Sequence, residues 1–434
     1  MQTATQQIHS QALSPLSMNI DGQNQAKQQA LRKAKLVMVT ANNNNKYYEM
    51  QENLDGTFTV NYGRVGSRGS IRQYPISQWE SKKREKIRKG YKDTSYLFSE
   101  QQDLPDFLQI DEVQIEMLMR ELIQFAQQSV SDNYNVSSKE VSKQQIREAQ
   151  YVLDQLSKKV NRRMDVRAFN QSLIDLYALI PRKMRKVQEH LIEKPKSKQD
   201  LSEIQNKLVE EQATLDVMRG QVELNEKQAA QQNEPVCQTL LDAFGLKVNL
   251  LENEKMIAKI KGMMGGQAAC FHKAYEVTNI ATQSHFDVHM QGVRNKKTEL
   301  FWHGSRNENW LSILKTGLVL RPANAIINGK MFGYGLYFAD RFAKSLNYSS
   351  LRGSYWSNGN SHKGYLALYD VHVGKQLKVK KHDDWCYQLN EENLKKRGRR
   401  YNSLFAKGGA DLINNEYIIY NQNQCTIRYL VEVR

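Results

Sequence analysis

The spacing of apolar residues changes twice along this chain, and no single fold accommodates all three patterns. At 36–40, 46–51 and 57–62 short runs of β-branched and aromatic residues are parted by an Asn-rich stretch and by Asp55-Gly56. They predict a small antiparallel sheet, followed by a basic helix over 79–91. From about 110 the period becomes helical: Ile115, Leu118, Met119, Leu122 and Ala126 share one face, and Ile146, Ala149, Leu153, Leu156 and Val160 share another. Ser142 with Gln145 forms a capping box, and Pro181 ends a third helix through Phe169, Leu173, Leu176 and Ile180. After Pro195 a charged amphipathic helix is expected over 196–233, and Pro235 marks a new start. Beyond it, strand-like runs at 299–303, 364–373, 416–420 and 426–433 alternate with short helices only. In the second run Tyr365, Ala367, Tyr369, Val371 and Val373 alternate as a strand requires. An antiparallel mixed domain therefore fits better than a parallel βαβ sheet.

The expectation is an α+β multidomain chain: a small antiparallel sheet with a helix at 31–105, an all-α helical bundle at 106–232, and a mixed, mainly antiparallel β domain at 233–434. Residues 1–30, rich in Gln, Ser and Ala with almost no charge, are expected to be a disordered tail. At 40% hydrophobic and 25% charged, 434 residues suffice to fill several cores. No apolar run approaches a membrane span and the N-terminus has no apolar leader, so an intracellular protein without membrane attachment is expected. Cys237, Cys270, Cys386 and Cys425 make no C-x-x-C pair or zinc-like cluster, so neither metal nor disulfide framework is expected. The net charge is +16, and residues 31–100 hold 14 Lys/Arg against 7 Asp/Glu. That concentration suggests a polyanion partner, nucleic acid first. Lys82, Lys83 and Arg84 are its candidate phosphate contacts, against the alternatives of an import signal or a solvated helix face.

The chemistry-bearing cluster lies between His303 and Tyr348. His303-Gly304-Ser305 ends an apolar strand, where ligands are commonly met. Next come Gly333-Tyr334-Gly335-Leu336-Tyr337-Phe338-Ala339-Asp340 and then Lys344-Ser345-x-x-Tyr348. Tyr337 and Tyr348 offer flat faces for an aromatic ring, and the glycines allow a ligand close to the backbone. Neither G-x-G-x-x-G nor G-x-x-x-x-G-K-[ST] occurs here, so a nucleotide would not be held in Rossmann or P-loop fashion. Singly, each residue has a structural explanation: a strand-end histidine, packing tyrosines, turn glycines, a solvated Glu416.

Together, the stretches 300–306, 331–340 and 415–420 resemble the three signatures of the poly(ADP-ribose) polymerase catalytic domain, in the right order and at compatible spacing. The family's His, Tyr, Glu triad falls on His303, Tyr337 and Glu416. Residues 110–232 are similar to the family's helical regulatory domain, which shields the NAD+ site until DNA is bound. Residues 36–100, with Tyr62-Gly63-Arg64-Val65-Gly66, resemble the WGR domain, which reads DNA ends. The resemblance is to short, DNA-dependent members.

The resemblance implies that NAD+ is the substrate and that catalysis works by positioning and electrostatics. It also implies that Glu416 holds ribose hydroxyls and draws the acceptor proton. His303 and Gly304 would orient NAD+, with Ser305, Arg321, Tyr334, Phe338 and Ala339 lining its site. Ser345 would bond the carboxamide, Tyr337 and Tyr348 would sandwich the nicotinamide ring, and Lys344 would stand on the acceptor side. Tyr62 and Arg64, with Lys82, Lys83 and Arg84, would meet DNA. Implied partners are DNA with strand breaks, protein acceptors including the chain itself, and an accessory protein completing the site; the implied location is nuclear in a eukaryote, otherwise cytoplasmic. The chain departs from the family pattern at Val319, where arginine is frequent, at Asn414, where tyrosine is common, and at Tyr62, which replaces tryptophan. The alternatives are a mono-ADP-ribosyltransferase of protein or nucleic-acid ends and a catalytically silent scaffold.

Overall fold

A computed structural model describes residues 31–95, 110–136, 138, 140–161, 163–231, 239–320, 331–351, 353–354, 357–358, 361–398 and 400–434. The expected tail at 1–30, Cys237 and Arg321 lie outside them.

Strands β1 (Lys33–Thr40), β2 (Asn44–Glu52), β3 (Thr57–Arg64), β4 (Ser70–Pro75) and β5 (Lys92–Asp93) form an antiparallel sheet in the order β4-β3-β2-β1-β5. The helix α1 (Trp79–Arg88) buries Trp79 edge-on to Phe58, 5.2 Å between ring centres. Leu36, Tyr48, Met50 and Val60 complete that core. Val37 and Val39 join a second core shared with the helices beyond. β1 is thus buried on both faces, which is why its sequence is a continuous apolar run and not an alternation. β4 escaped the sequence reading because its residues are nearly all exposed.

The bundle comprises α2 (Val113–Asn133), α3 (Lys143–Lys159), α4 (Val166–Leu179) and α5 (Lys198–Gln231). The capping box forms: the Gln145 amide donates to Ser142 Oγ, and the Ser142 amide donates to Gln145 Oε1. The apolar faces read from the period are buried, Leu122, Ala149, Leu156 and Leu173 completely, while Val160, just past α3, is half-buried.

The remaining elements are α6 (Leu240–Phe244), β6 (Leu246–Leu250), α7 (Glu254–Met264), β7 (Phe271–Asn279), α8 (Ile280–Gly292), β8 (Glu299–Gly304), α9 (Trp310–Thr316), β9 (Leu336–Phe338) and α10 (Phe342–Leu346). They continue through the short ribbon β10 (Gly353–Ser354) and β11 (Ser357–Asn358) to β12 (Gly364–Val371), β13 (Gln376–Val379), α11 (Glu391–Arg397), β14 (Ser403–Ala406), β15 (Glu416–Ile419) and β16 (Cys425–Val433). One sheet runs β6-β7-β16-β12-β8 and is antiparallel throughout; the other runs β13-β14-β15-β9 with one parallel pair. The alternation read at 365–371 is half of what β12 does. Tyr365, Ala367, Tyr369 and Val371 face the core shared with the bundle, while Leu366 and Leu368 fill a second core on the opposite face.

The two sheets meet where β8 lies beside the end of β9. Trp302 and Ala339 exchange both backbone hydrogen bonds, at 2.9 and 3.0 Å. This junction sets His303 on one sheet next to Tyr337 on the other.

Candidate active site

A cleft of about 590 Å³ opens at the junction, and His303, Gly304, Ser305, Tyr337, Phe338, Ala339, Lys344, Ser345, Tyr348 and Glu416 all line it. The register explains the gathering. β12 places Ala367 opposite His303, β9 places Tyr337 opposite Ile418, and β14 places Ala406 opposite Glu416. Residues more than a hundred positions apart thereby share one wall.

His303 Nδ1 lies 3.1 Å from the Tyr337 carbonyl oxygen and donates to it, which leaves Nε2 as a hydrogen-bond acceptor. Burial pushes the imidazole below its ordinary value, with the Tyr337 carbonyl opposing, so the ring is neutral at pH 7. The Tyr337 hydroxyl donates to Gly333 O at 3.0 Å and accepts from the Phe332 amide at 3.2 Å, which pins its ring. Tyr348 is 51% exposed, so the second aromatic face is the looser of the two.

Gly304 has a concrete role. A Cβ there would lie 2.0 Å from the Ser345 carbonyl oxygen, so only glycine lets the end of β8 touch the backbone of α10. Gly333, at φ +76°, and Gly335 are required too, but not for a ligand. The space a Cβ would need is filled by the Leu389 backbone and by Ile418. Gly335 also lines the cleft, whereas Gly333 is not among its lining residues. The Tyr334 amide donates to Leu389 O, and the residue is not among those lining the cleft.

Lys344 Nζ lies 2.5 Å from Glu416 Oε1 and 3.3 Å from Asn415 O. Glu416 is only 6% exposed, and its Oε2 is buried with no hydrogen-bond partner among the described residues. A buried carboxylate oxygen left unpaired is costly in the free protein. The residue lines the cleft, where a carboxylate can accept from a hydroxyl. Val319, 55% exposed, lines the same cleft.

The bundle also supplies one wall, which the sequence reading missed. Gln150 and Asp154 of α3 and Gln212, Asp216 and Arg219 of α5 line the cleft. They bond to one another: Gln150 Nε2 donates to Asp154 at 2.9 Å and to Gln212 at 2.8 Å, and Arg219 donates to Gln150 Oε1 at 2.5 Å. Their only sequence signal is a polar edge beside an apolar helical face, which solvent explains equally well. Further contacts clamp the bundle to the elements beyond it. Glu121 accepts from the Tyr365 hydroxyl at 2.6 Å and from Lys363 at 2.8 Å, and Glu223 pairs with Lys315.

Each of the five candidate DNA contacts has a partner within the chain. Lys83 is 2.6 Å from Asp93, Lys82 lies over the Tyr74 ring, Arg84 Nε donates to Glu80 O, and Tyr62 packs beside Tyr48. Arg64 turns toward the bundle, donating to Arg185 O at 2.6 Å and to Asn43. No helix among the described residues is long and apolar enough to cross a membrane, and no cluster of three metal-ligating side chains occurs among them.

Comparison with known proteins gives the site a context. Residues 254–434 match the poly(ADP-ribose) polymerase catalytic domain, and residues 32–96 match the WGR domain. The chain is 34% identical over 164 residues to the putative poly [ADP-ribose] polymerase-like protein 100L of Invertebrate iridescent virus 6, covering 37% of this chain and 84% of that protein. It is 25% identical to poly [ADP-ribose] polymerase 2 of Zea mays over 90% of this chain and 68% of the relative. With poly [ADP-ribose] polymerase 2 of Homo sapiens it shares 33% identity over 31% of this chain and 26% of the relative.

Proposed function

This chain belongs to the poly(ADP-ribose) polymerase family and is an ADP-ribosyltransferase that takes NAD+ as substrate, and on that premise we propose that broken DNA activates it to polymerise ADP-ribose on itself and on other proteins. The observation that carries the polymerase reading is Glu416, which lines the cleft with its Oε1 held by Lys344 and its Oε2 without a partner among the described residues.

Cleavage of the nicotinamide glycosidic bond leaves positive charge on the ribose, so the chemistry needs a fixed anion and a place for the acceptor's proton. Glu416 Oε2 accepts from a ribose hydroxyl and draws the proton from the incoming acceptor. His303 Nε2 accepts from a second hydroxyl of NAD+. The pinned ring of Tyr337 and the looser ring of Tyr348 sandwich nicotinamide, and Ser345 with the Gly304 backbone bonds its carboxamide. Ser305, Phe338 and Ala339 line the remaining walls, and Lys344 orients Glu416 from the acceptor side. These roles amount to holding NAD+ and the acceptor in one geometry.

DNA dependence is supported by the bundle wall. Helices α3 and α5 lie across the cleft, and Arg64 and Asn45 of the first sheet bond to the backbone at 182–185 that follows α4. DNA bound by that sheet would shift the bundle from a closed toward an open population. The test is labelled NAD+ with and without broken duplex DNA, products separated by length. A ladder that needs DNA is expected; single units with DNA would leave a mono-transferase, and equal turnover without DNA would remove the activation.

A further inference from the structure

We propose that Asp340 is a positioning residue for the transfer step, acting through Asn415 to set Glu416 at the acceptor. The inference rests on the role of Glu416 given above and adds a residue to which that role assigns nothing.

Asp340 stands one residue after Ala339, whose peptide is bonded in both directions to Trp302 at the junction of the two sheets. It is therefore anchored to the frame that carries His303. Its Oδ2 accepts from Asn415 Nδ2 at 2.8 Å and lies 3.4 Å from the Tyr417 hydroxyl. Asn415 is held at two further points: its Oδ1 accepts from the Gly408 amide at 2.9 Å, and its backbone carbonyl accepts from Lys344. An amide side chain between an acceptor-only carboxylate and a donor-only backbone N–H has one orientation that satisfies both. Glu416 follows directly in the chain, and Lys344 contacts both residues. The carboxylate thus braces the residue before Glu416 against the end of β9, next to the junction with β8, and Asn415 carries the brace on to the loop around Gly408.

The bonds of the Asp340 carboxylate run through one oxygen, which meets both Asn415 and Tyr417. Asp340 Oδ1 is buried and finds no hydrogen-bond partner among the described residues. The neighbouring ring of Tyr417 is itself fixed, stacked on Phe301 at 4.1 Å and packed against Phe405.

The test compares kcat and KM for NAD+ in the full chain and in Asp340→Ala, Asp340→Asn, Asn415→Asp, the double variant Asp340→Asn/Asn415→Asp, and Glu416→Gln. Asn415→Asp sets two carboxylates face to face, and the double variant rebuilds the hydrogen bond with donor and acceptor exchanged. Asp340→Ala and Asn415→Asp should each lower kcat roughly tenfold or more, with KM within about twofold. The double variant should recover most of the loss, and Asp340→Asn, which retains an acceptor, should be mild. A double variant as poor as Asn415→Asp, a loss that falls on KM, or an Asp340→Ala enzyme with full kcat would each overturn the proposal. Full kcat in Glu416→Gln would overturn the reading beneath it. Collapse in Glu416→Gln with the other variants unaffected would sink the role of Asp340 alone.

Discussion

Lys344 and Glu416 pair inside the cleft, Nζ to Oε1 at 2.5 Å, with both side chains largely shielded from solvent. The ammonium fixes one carboxylate oxygen and leaves the other without a partner among the described residues. The anion is thereby oriented before any substrate arrives, and little reorganisation is left for the moment of reaction.

Replacing Glu416 by Gln preserves shape and removes both the charge and the basic oxygen. A lost general base costs about 10²- to 10⁴-fold in rate. Steady-state kinetics with NAD+ should show that loss in kcat and a smaller change in KM, since the proposed contacts from His303, Tyr337 and Ser345 are untouched.

Gly304→Ala forces a methyl against the Ser345 carbonyl. Either β8 or α10 must retreat, at a cost of about 1–3 kcal/mol. Denaturant unfolding should register the destabilisation, and KM for NAD+ should rise because the displaced residues line its site.

The Glu121 carboxylate is where the bundle grips β12, through Tyr365 and Lys363. Glu121→Ala removes both bonds, while Lys363 keeps Glu432 at 3.2 Å. Each 1.4 kcal/mol lost from a closed state raises the open population about tenfold while that state is minor. Turnover of NAD+ without DNA should therefore increase, more so with Lys315→Ala, which releases Glu223 of α5. Unchanged DNA-free turnover in the double variant would show that these contacts do not govern closure.

Burial depresses the His303 pKa below 6.5. The neutral, accepting ring is present above the lowered value and is lost as pH falls through it. On this account kcat/KM for NAD+ stays level across pH 6.5 and declines only at more acidic pH. A decline centred at or above 6.5 would mean that another group sets the limb.

Much of this protein was legible residue by residue. The period of Ile115 to Ala126, the Ser142/Gln145 cap and the strand at Glu416 are local signals, and local physics produced them in the fold. Gly333 shows the limit of that reading: its positive φ was foreseeable from a turn, but its neighbour Leu389 lies more than fifty residues away. Arg64 shows it again, since a cation in the sequence says nothing of which surface it meets, and here it meets the backbone after α4.

Three patterns of hydrophobic spacing and three motif stretches already specified the element types and the chemical inventory, because periodicity and side-chain chemistry act over a few residues. Only the tertiary structure could decide that Gln150 and Arg219 close the cleft, that Lys344 takes one oxygen of Glu416, and that Asp340 reaches Asn415. Those pairings depend on strand register and on how a bundle docks against a sheet, and both are set by the packing of the whole core.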